Sequence, residues 1–194
     1  MTVDDTGATV FAPTLERTSD RLRAPWALPD GKKLAVSVLL HAPAYVDVVP
    51  AGAHKPLAMQ GGVGRETGEP RHGQVARLSQ WDFGLTVGLW RLLDIAAEAG
   101  VPAAVALDAE GVRTKPGLAA LVAERAGEVV ARGRAANIVL DPAMTADEEA
   151  AYVASAVSAV AGATGRPVTG WFSPERATTP RTTAVLRDAG LVRV

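Results

Sequence analysis

The strongest constraint on the fold is an alternation between short apolar runs and segments with helical periodicity. Apolar runs of strand length occupy residues 34–40, 101–107, 128–131, 168–172 and 191–194. Helical patterns separate the later runs, over 84–99 and 115–125, after Thr145, and after Thr179. Strands that alternate with helices form parallel sheets, because each helix carries the chain back across the sheet. The sequence therefore predicts an α/β protein with parallel strands and outer helices.

The clearest local signals mark the ends of these helices. Thr145 and Glu148 have the spacing of a capping box, in which each side chain accepts a hydrogen bond from the other residue's backbone N–H. Gly165 lies just beyond that helix, and Gly100 lies just beyond the helix over 84–99, where a glycine commonly ends a helix. Thr114 precedes the pattern at 115–125, and we expect it to cap that helix.

The first part of the chain differs from this pattern. Prolines at positions 13, 25 and 29 interrupt it, so residues 1–31 are predicted to form an N-terminal arm. The chain is 48% hydrophobic, which is enough for residues 32–194 to form one (β/α) domain with its own core. Within that domain, residues 42–80 predict a long loop. A loop of this length is a functional rim, a partner-binding arm or a disordered segment.

Composition excludes several classes of function. The formal net charge is −1, and no block of like charges is present, so we expect no nucleic-acid partner and no anionic membrane surface. The absence of cysteine excludes disulfides, thiolate metal ligands and a cysteine nucleophile. The first 20 residues lack the order of a signal peptide, and no stretch reaches the ~20 apolar residues that span a bilayer. We therefore expect a soluble cytoplasmic protein.

Three groups of motifs resemble, in order and spacing, those of the polysaccharide deacetylase superfamily, in its allantoinase-like branch. They are DFG and VGLWRLLD with GVPA (82–103), AGEVVARG (126–133), and TADEE, TGRP, GWFSP and LRDAG (145–190). The likeness runs from about Leu34 to the C-terminus. It implies hydrolysis of C–N bonds in amides, imides and N-acetyl groups, by a site at the carboxyl ends of parallel strands. Because members continue past the last motif, it also implies an incomplete (β/α) barrel, or one that a second chain completes.

The two positions where the resemblance puts catalytic groups have changed. The first strand of the family ends in a carboxylate, and that position falls near Pro43, which has no side-chain oxygen. The family's histidine after the third strand is replaced by Arg132. A carboxylate and an imidazole can hold a metal or transfer a proton, whereas a guanidinium stays protonated. We therefore expect a degenerate member that lacks the family's chemistry, with no metal and no cofactor.

The remaining candidate residues leave alternatives open. His41 lies at a strand end and could act with one of the acids, whereas His54 and His72 lack ligand-like spacing. Arg132 is a candidate ligand-binding residue, or it pairs with Glu128, Asp108 or Asp141. Trp171 is a candidate pocket wall, or part of the core. The acids that could serve a catalytic histidine are Asp47, Asp108 and Asp141.

Three functional hypotheses follow. In the first, the chain is a non-catalytic subunit of a homo- or hetero-oligomer, associated with a longer, active homologue. In the second, it is a divergent amide, cyclic imide or N-acetyl hydrolase that uses His41, with Arg132 as an anion clamp. In the third, it is a module that binds an anionic ligand through Arg132.

Overall fold

The computed structural model describes residues 20–22, 27–56 and 72–191, together with four two-residue strands. The chain divides into two compact units, Met1–Ser37 and Val38–Val194. In the first unit, Thr2–Val3 pairs antiparallel with Thr9–Val10, and 3-10 turns occupy Asp20–Leu22 and Pro29–Gly31. In the second unit, Met59–Gln60 pairs antiparallel with Arg65–Glu66.

The described part of the second unit contains a four-stranded sheet in which every pair of neighbours is parallel. Its strands lie side by side in the order in which they occur in the sequence. This arrangement confirms the predicted α/β class with parallel strands. The strands are β1 (Val38–Ala42), β2 (Ala103–Asp108), β3 (Glu128–Gly133) and β4 (Gly170–Trp171).

Helices flank this sheet and separate its strands along the chain. They are α1 (Val75–Phe83), α2 (Leu89–Glu98), α3 (Ala109–Thr114), α4 (Pro116–Arg125), α5 (Ala146–Thr164) and α6 (Thr182–Asp188). A π-helical segment, Gly84–Gly88, joins α1 to α2. The long helix α5 packs against α3, α4 and α6 and against β2 and β3. Among the described residues, no helix is both long and apolar enough to cross a membrane.

The core lies between the central strands and the helices. Val105 and Leu107 of β2 are fully buried, as are Val153 and Val160 of α5. Strands β2 and β3 are covered on both faces, which explains why their sequences are apolar runs rather than alternating patterns. Burial of such a side chain contributes about 1.5–3 kcal/mol, so these two strands are the main source of stability in the sheet.

The predicted capping box of α5 is confirmed. The Glu148 backbone N–H donates to the Thr145 hydroxyl at 3.2 Å, and the Thr145 N–H donates to the Glu148 carboxylate at 2.7 Å. Gly165 ends the helix with φ of 64°, a left-handed conformation in which a side chain would be strained.

Several predicted boundaries are wrong, each for a local reason. The first strand is Val38–Ala42 rather than 34–40, since Leu34 and Val36 are exposed. Helix α1 begins at Val75, inside the segment predicted as loop over 42–80, because only Trp81 of this helix is buried and its periodic signal is weak. Thr114 does not cap a helix but ends α3, a helix the pattern did not predict.

Two further predicted elements differ near the C-terminus. The strand over 168–172 shortens to Gly170–Trp171, and the last helix begins at Thr182 rather than directly after Thr179. Leu191 is not in a strand, and the rest of the predicted strand over 191–194 lies outside the described residues.

Candidate functional site

Polar and aromatic side chains gather where the parallel strands end. His41 lies near the end of β1, Asp108 ends β2, Arg132 lies near the end of β3, and Phe172 follows β4. The carboxyl ends of parallel strands share one edge of the sheet, where ligands of open α/β sheets bind. We call His41, Tyr45, Asp108, Arg132 and Phe172 the strand-end site.

At the centre of this site is a buried pair of opposite charges. An Arg132 Nη1 atom lies 3.7 Å from the Asp108 carboxylate, which is too far for a hydrogen bond. The Ala44 backbone N–H, in the loop after β1, donates at 2.9 Å to Asp108 Oδ2, which is also the carboxylate oxygen that lies 3.7 Å from Arg132 Nη1. Asp108 Oδ1 and the Nε and Nη1 atoms of Arg132 have no hydrogen-bond partner among the described residues.

Burial controls the protonation of Asp108. Removal of the carboxylate from water raises its pKa to about 7, although the Arg132 guanidinium and the Ala44 N–H oppose this shift. Arg132 remains a cation, so near neutral pH the pair carries a positive charge whenever Asp108 is protonated.

His41 and Phe172 form one wall of the site. Their ring centroids are 4.4 Å apart, with the rings edge to face, and the Arg132 guanidinium carbon lies 5.8 Å from the Phe172 ring. Partial burial of the imidazole and the charge of Arg132 lower the pKa of His41. His41 is therefore a neutral imidazole at neutral pH, and its side chain is exposed at the mouth of the site.

Tyr45, which feels the charges of Arg132 and Asp108, forms a second aromatic pair with Trp81. Their rings stack with centroids 4.9 Å apart, and the Arg77 guanidinium lies 4.1 Å above the Trp81 ring. Burial raises the pKa of Tyr45, and the Glu175 carboxylate adds to this effect. The phenol is therefore a neutral hydrogen-bonding group beside the buried pair.

The structure places the other two candidate acids away from the buried pair. Asp47 forms an ion pair with Arg77 and accepts a hydrogen bond from the Gly73 N–H at 2.7 Å. Asp141 accepts one from the Ala143 N–H at 2.8 Å and lies 3.7 Å from His54. Each of these carboxylates therefore has its partners in nearby loop or helix residues, and neither is the partner of Arg132.

Of the three acids proposed as partners of Arg132, the structure brings Asp108 alongside it. Glu128 lies at the other end of β3 and accepts from the Thr169 hydroxyl at 2.8 Å. Trp171 is buried, and its indole N–H donates to the Ser173 hydroxyl at 2.9 Å. The Trp171 ring packs edge to face against Tyr152, so it belongs to the core beneath the site.

The residues at the strand ends do not fit a metal ion. The position where a carboxylate ligand is expected holds Pro43, directly after β1. A permanent cation, Arg132, stands beside the one carboxylate of the buried pair and would repel a second positive charge. Within the described part of the chain, no three His, Cys, Asp or Glu side chains converge as they would around a metal.

Glu175 is a site neighbour that sequence reasoning missed. It follows Pro174 in the turn after β4, and its charge acts on Tyr45. Glu175 and Arg176 both adopt positive φ angles, 49° and 58°, which side chains other than glycine rarely do. The only sequence signal was the acidic residue directly after the GWFSP motif.

The fold resembles that of solved structures assigned to the polysaccharide deacetylases and of an allantoinase, as the sequence motifs predict. A candidate polysaccharide deacetylase from Mycobacterium smegmatis matches 87% of this chain with a TM-score of 0.66 and 23% identity. The Puue allantoinase matches 80% of it with a TM-score of 0.59 and 17% identity. A Pseudomonas aeruginosa PAO1 protein assigned to the polysaccharide deacetylases matches 80%, with a TM-score of 0.59 and 20% identity.

These matches establish the fold and not the activity. The chain spans about half the length of the three proteins, namely 53%, 50% and 51%. No protein-family model and no curated protein sequence matches the chain.

Proposed function

We propose that this chain is a non-catalytic polysaccharide-deacetylase-like subunit that associates with an active, longer homologue able to hydrolyse C–N bonds. The observation that carries the proposal is the buried guanidinium of Arg132, 3.7 Å from Asp108, where the resemblance puts an imidazole. Two features support it: the groups at the strand ends and the exposed apolar surface of α1 and α2.

The groups at the strand ends are not suited to activate water for hydrolysis. Hydrolysis of an amide needs a metal or a general base next to the attacking water. Arg132 cannot accept a proton, and Pro43 offers no oxygen. Asp108 is fully buried and already accepts the Ala44 N–H. The positions that would activate water in the family therefore hold groups that cannot do so.

Helices α1 and α2 present an exposed apolar surface. Large apolar side chains on α1 and α2 are exposed, including Phe83 at 54%, Leu92 at 46% and Ile95 at 60%. Soluble proteins seldom expose apolar side chains in such number on one helical stretch unless another surface covers them. Association with a protein of the same fold would remove this area from water.

Association is tested by co-expression with a longer polysaccharide deacetylase homologue from the same genome, followed by light scattering on the purified sample. We expect a complex that Ile95→Asp or Phe83→Asp weakens at least tenfold. Glu124→Lys, a charge reversal at an exposed position of α4, is the control and should leave the complex intact. A stable monomer that neither self-associates nor binds the homologue would contradict the proposal.

A second candidate function, a divergent hydrolase, is favoured by one observation. The pKa of Asp108 is raised to about 7, a range suited to proton transfer, and Asp108 shares the site with the neutral imidazole of His41. Turnover of allantoin, a cyclic imide or a chitooligosaccharide, abolished by His41→Ala, would establish this function. The same assay on the unmodified chain, if inactive, supports the non-catalytic function.

A further inference from the structure

Helix α2 has two apolar faces, of which only one is buried. Leu89 and Leu93 lie on the buried face. Residues three and four apart share one face of a helix, so Leu92, Ile95 and Ala99, at the C-terminal end, form a second apolar row. All three are exposed, Ile95 by 60%. Contact with another molecule would remove this row, which we call the α2 row, from water.

Two opposite charges border the α2 row. Arg91 lies one turn before Ile95 and Glu98 one turn after it, and both are exposed. They are about 10 Å apart along the helix, which is too far for an ion pair with each other. No ion pair among the described residues uses either charge, whereas Asp94 pairs with Arg125 of α4. The exposed surface of α2 thus has a positive end, an apolar centre and a negative end.

This surface is complementary to itself when the helix direction is reversed. Two α2 helices placed antiparallel about a two-fold axis beside Ile95 bring Arg91 of each copy level with Glu98 of the other, because both lie about 5 Å from the axis along the helix. The two Ile95 side chains meet at the axis, and Leu92 enters the gap beside the small side chain of Ala99. Every contact occurs twice in such an arrangement, which therefore forms two ion pairs around one apolar strip.

We propose that the α2 row is the interface of a homodimer, in which a second copy of this chain docks antiparallel through the same helix. The charges select this arrangement. A parallel pair would set Arg91 against Arg91 and Glu98 against Glu98, and like charges across a contact are unfavourable. The inference rests on the proposed function, since it uses the same exposed helix. It adds that the second copy competes with the homologue for that helix.

Sedimentation equilibrium on the full chain alone, over a wide range of concentration, measures the monomer–dimer equilibrium. We expect Arg91→Glu and Glu98→Arg each to weaken the dimer about tenfold or more, because each reversal sets two pairs of like charges against each other. The double variant restores opposite charges in reversed order, so its dissociation constant should return to within about threefold of the original. Glu124→Lys, a charge reversal at an exposed position of α4, is the control and should dimerise normally.

Thermal unfolding of each variant separates a weaker contact from a weaker fold, and these exposed positions should leave the melting temperature unchanged. A chain that stays monomeric, a dimer that survives both single reversals, or a double variant as weak as the single ones would each overturn the inference. Binding of the longer homologue is measured separately. A monomeric chain that still binds the homologue overturns the homodimer and leaves the proposed function intact. A dimer that does not bind the homologue supports the homodimer and contradicts the proposed function.

Discussion

Asp108 lies opposite Gly133 in the β2–β3 ladder, although its predecessor Leu107 lies opposite Ala131. The register therefore shifts by one residue, and Arg132 is the extra residue of a bulge. A bulge re-aims a side chain near the end of a strand, and bulges are common next to functional sites. Here the shift places a guanidinium beside a buried carboxylate without aligning the two for a hydrogen bond, so Asp108 Oδ1 and Arg132 Nη1 have no hydrogen-bond partner among the described residues.

The buried carboxyl predicts a dependence of stability on pH. The pKa of Asp108 is about 7 in the folded chain, well above the ordinary 3.8 of an aspartate, so between these pH values the folded state holds a proton that the unfolded state has lost. The protonated carboxyl makes its full contribution to the free energy of unfolding below about pH 4, and this contribution is lost as the pH rises to about 7. The loss is of the order of a few kcal/mol. In urea unfolding, we expect the free energy of unfolding to fall less between pH 5 and pH 8 for the Asp108→Asn variant than for the unmodified chain. Parallel curves for the two proteins would contradict the assignment.

Gly133→Ala should destabilise the fold strongly. Gly133 has φ of 131°, and a Cβ there would lie 2.7 Å from Pro174 Cγ and would also overlap the Tyr152 hydroxyl. Backbone strain and overpacking together should cost about 2–4 kcal/mol. The control is Gly162→Ala in α5, where a Cβ meets no atom within 4 Å, and alanine there should hold or raise the melting temperature. Equal melting temperatures for the two variants would show that the end of β3 tolerates a side chain at position 133.

Glu149→Gln tests the buried contact between α5 and α6. The Glu149 carboxylate is fully buried and accepts hydrogen bonds from the Thr179 hydroxyl at 2.8 Å and from Arg181 Nε at 3.2 Å. An amide supplies one acceptor fewer and removes the negative charge beside Arg181, whose Nη2 atom keeps its hydrogen bond to the Met144 carbonyl. We expect a loss of about 2–4 kcal/mol in the free energy of unfolding. Glu124→Gln, on the exposed side of α4, should change it by less than about 0.5 kcal/mol.

Thr145→Ala removes the side chain that caps α5. The Thr145 hydroxyl accepts the Glu148 N–H, and alanine offers no acceptor in its place. The free energy of unfolding should fall by about 1 kcal/mol. Thr145→Ser keeps the hydroxyl and should retain most of that stability. A serine variant as unstable as the alanine variant would mean that the methyl group of Thr145, and not the cap, is responsible.

The sequence predicted the parts of the fold that depend on local pattern. The apolar runs located β2 and β3, and the capping box located the start of α5, because burial and backbone hydrogen bonding impose these patterns directly. The motif AGEVVARG also placed Arg132 at a strand end. The pairing with Asp108 was one of three possibilities, since an extended apolar run does not encode the register of a parallel ladder.

Other parts of the site depend on contacts between distant segments. The Tyr45–Trp81 stack joins the loop after β1 to helix α1, and nothing in either segment alone predicts it. The start of α1 was missed because this helix buries one residue. The turn at Glu175 was missed because two successive non-glycine residues in left-handed conformation contradict local propensity. Tertiary contacts must hold such a turn in place.

That turn has a consequence for any redesign of the protein. Left-handed residues with side chains cost about 1–3 kcal/mol each, so glycine at 175 or 176 would relax the backbone and raise the melting point. The same exchange at 175 would remove the carboxylate that acts on Tyr45. At position 175 the strained backbone carries the carboxylate that acts on Tyr45, so the loop after β4 keeps a negative charge near the strand ends at a cost in stability.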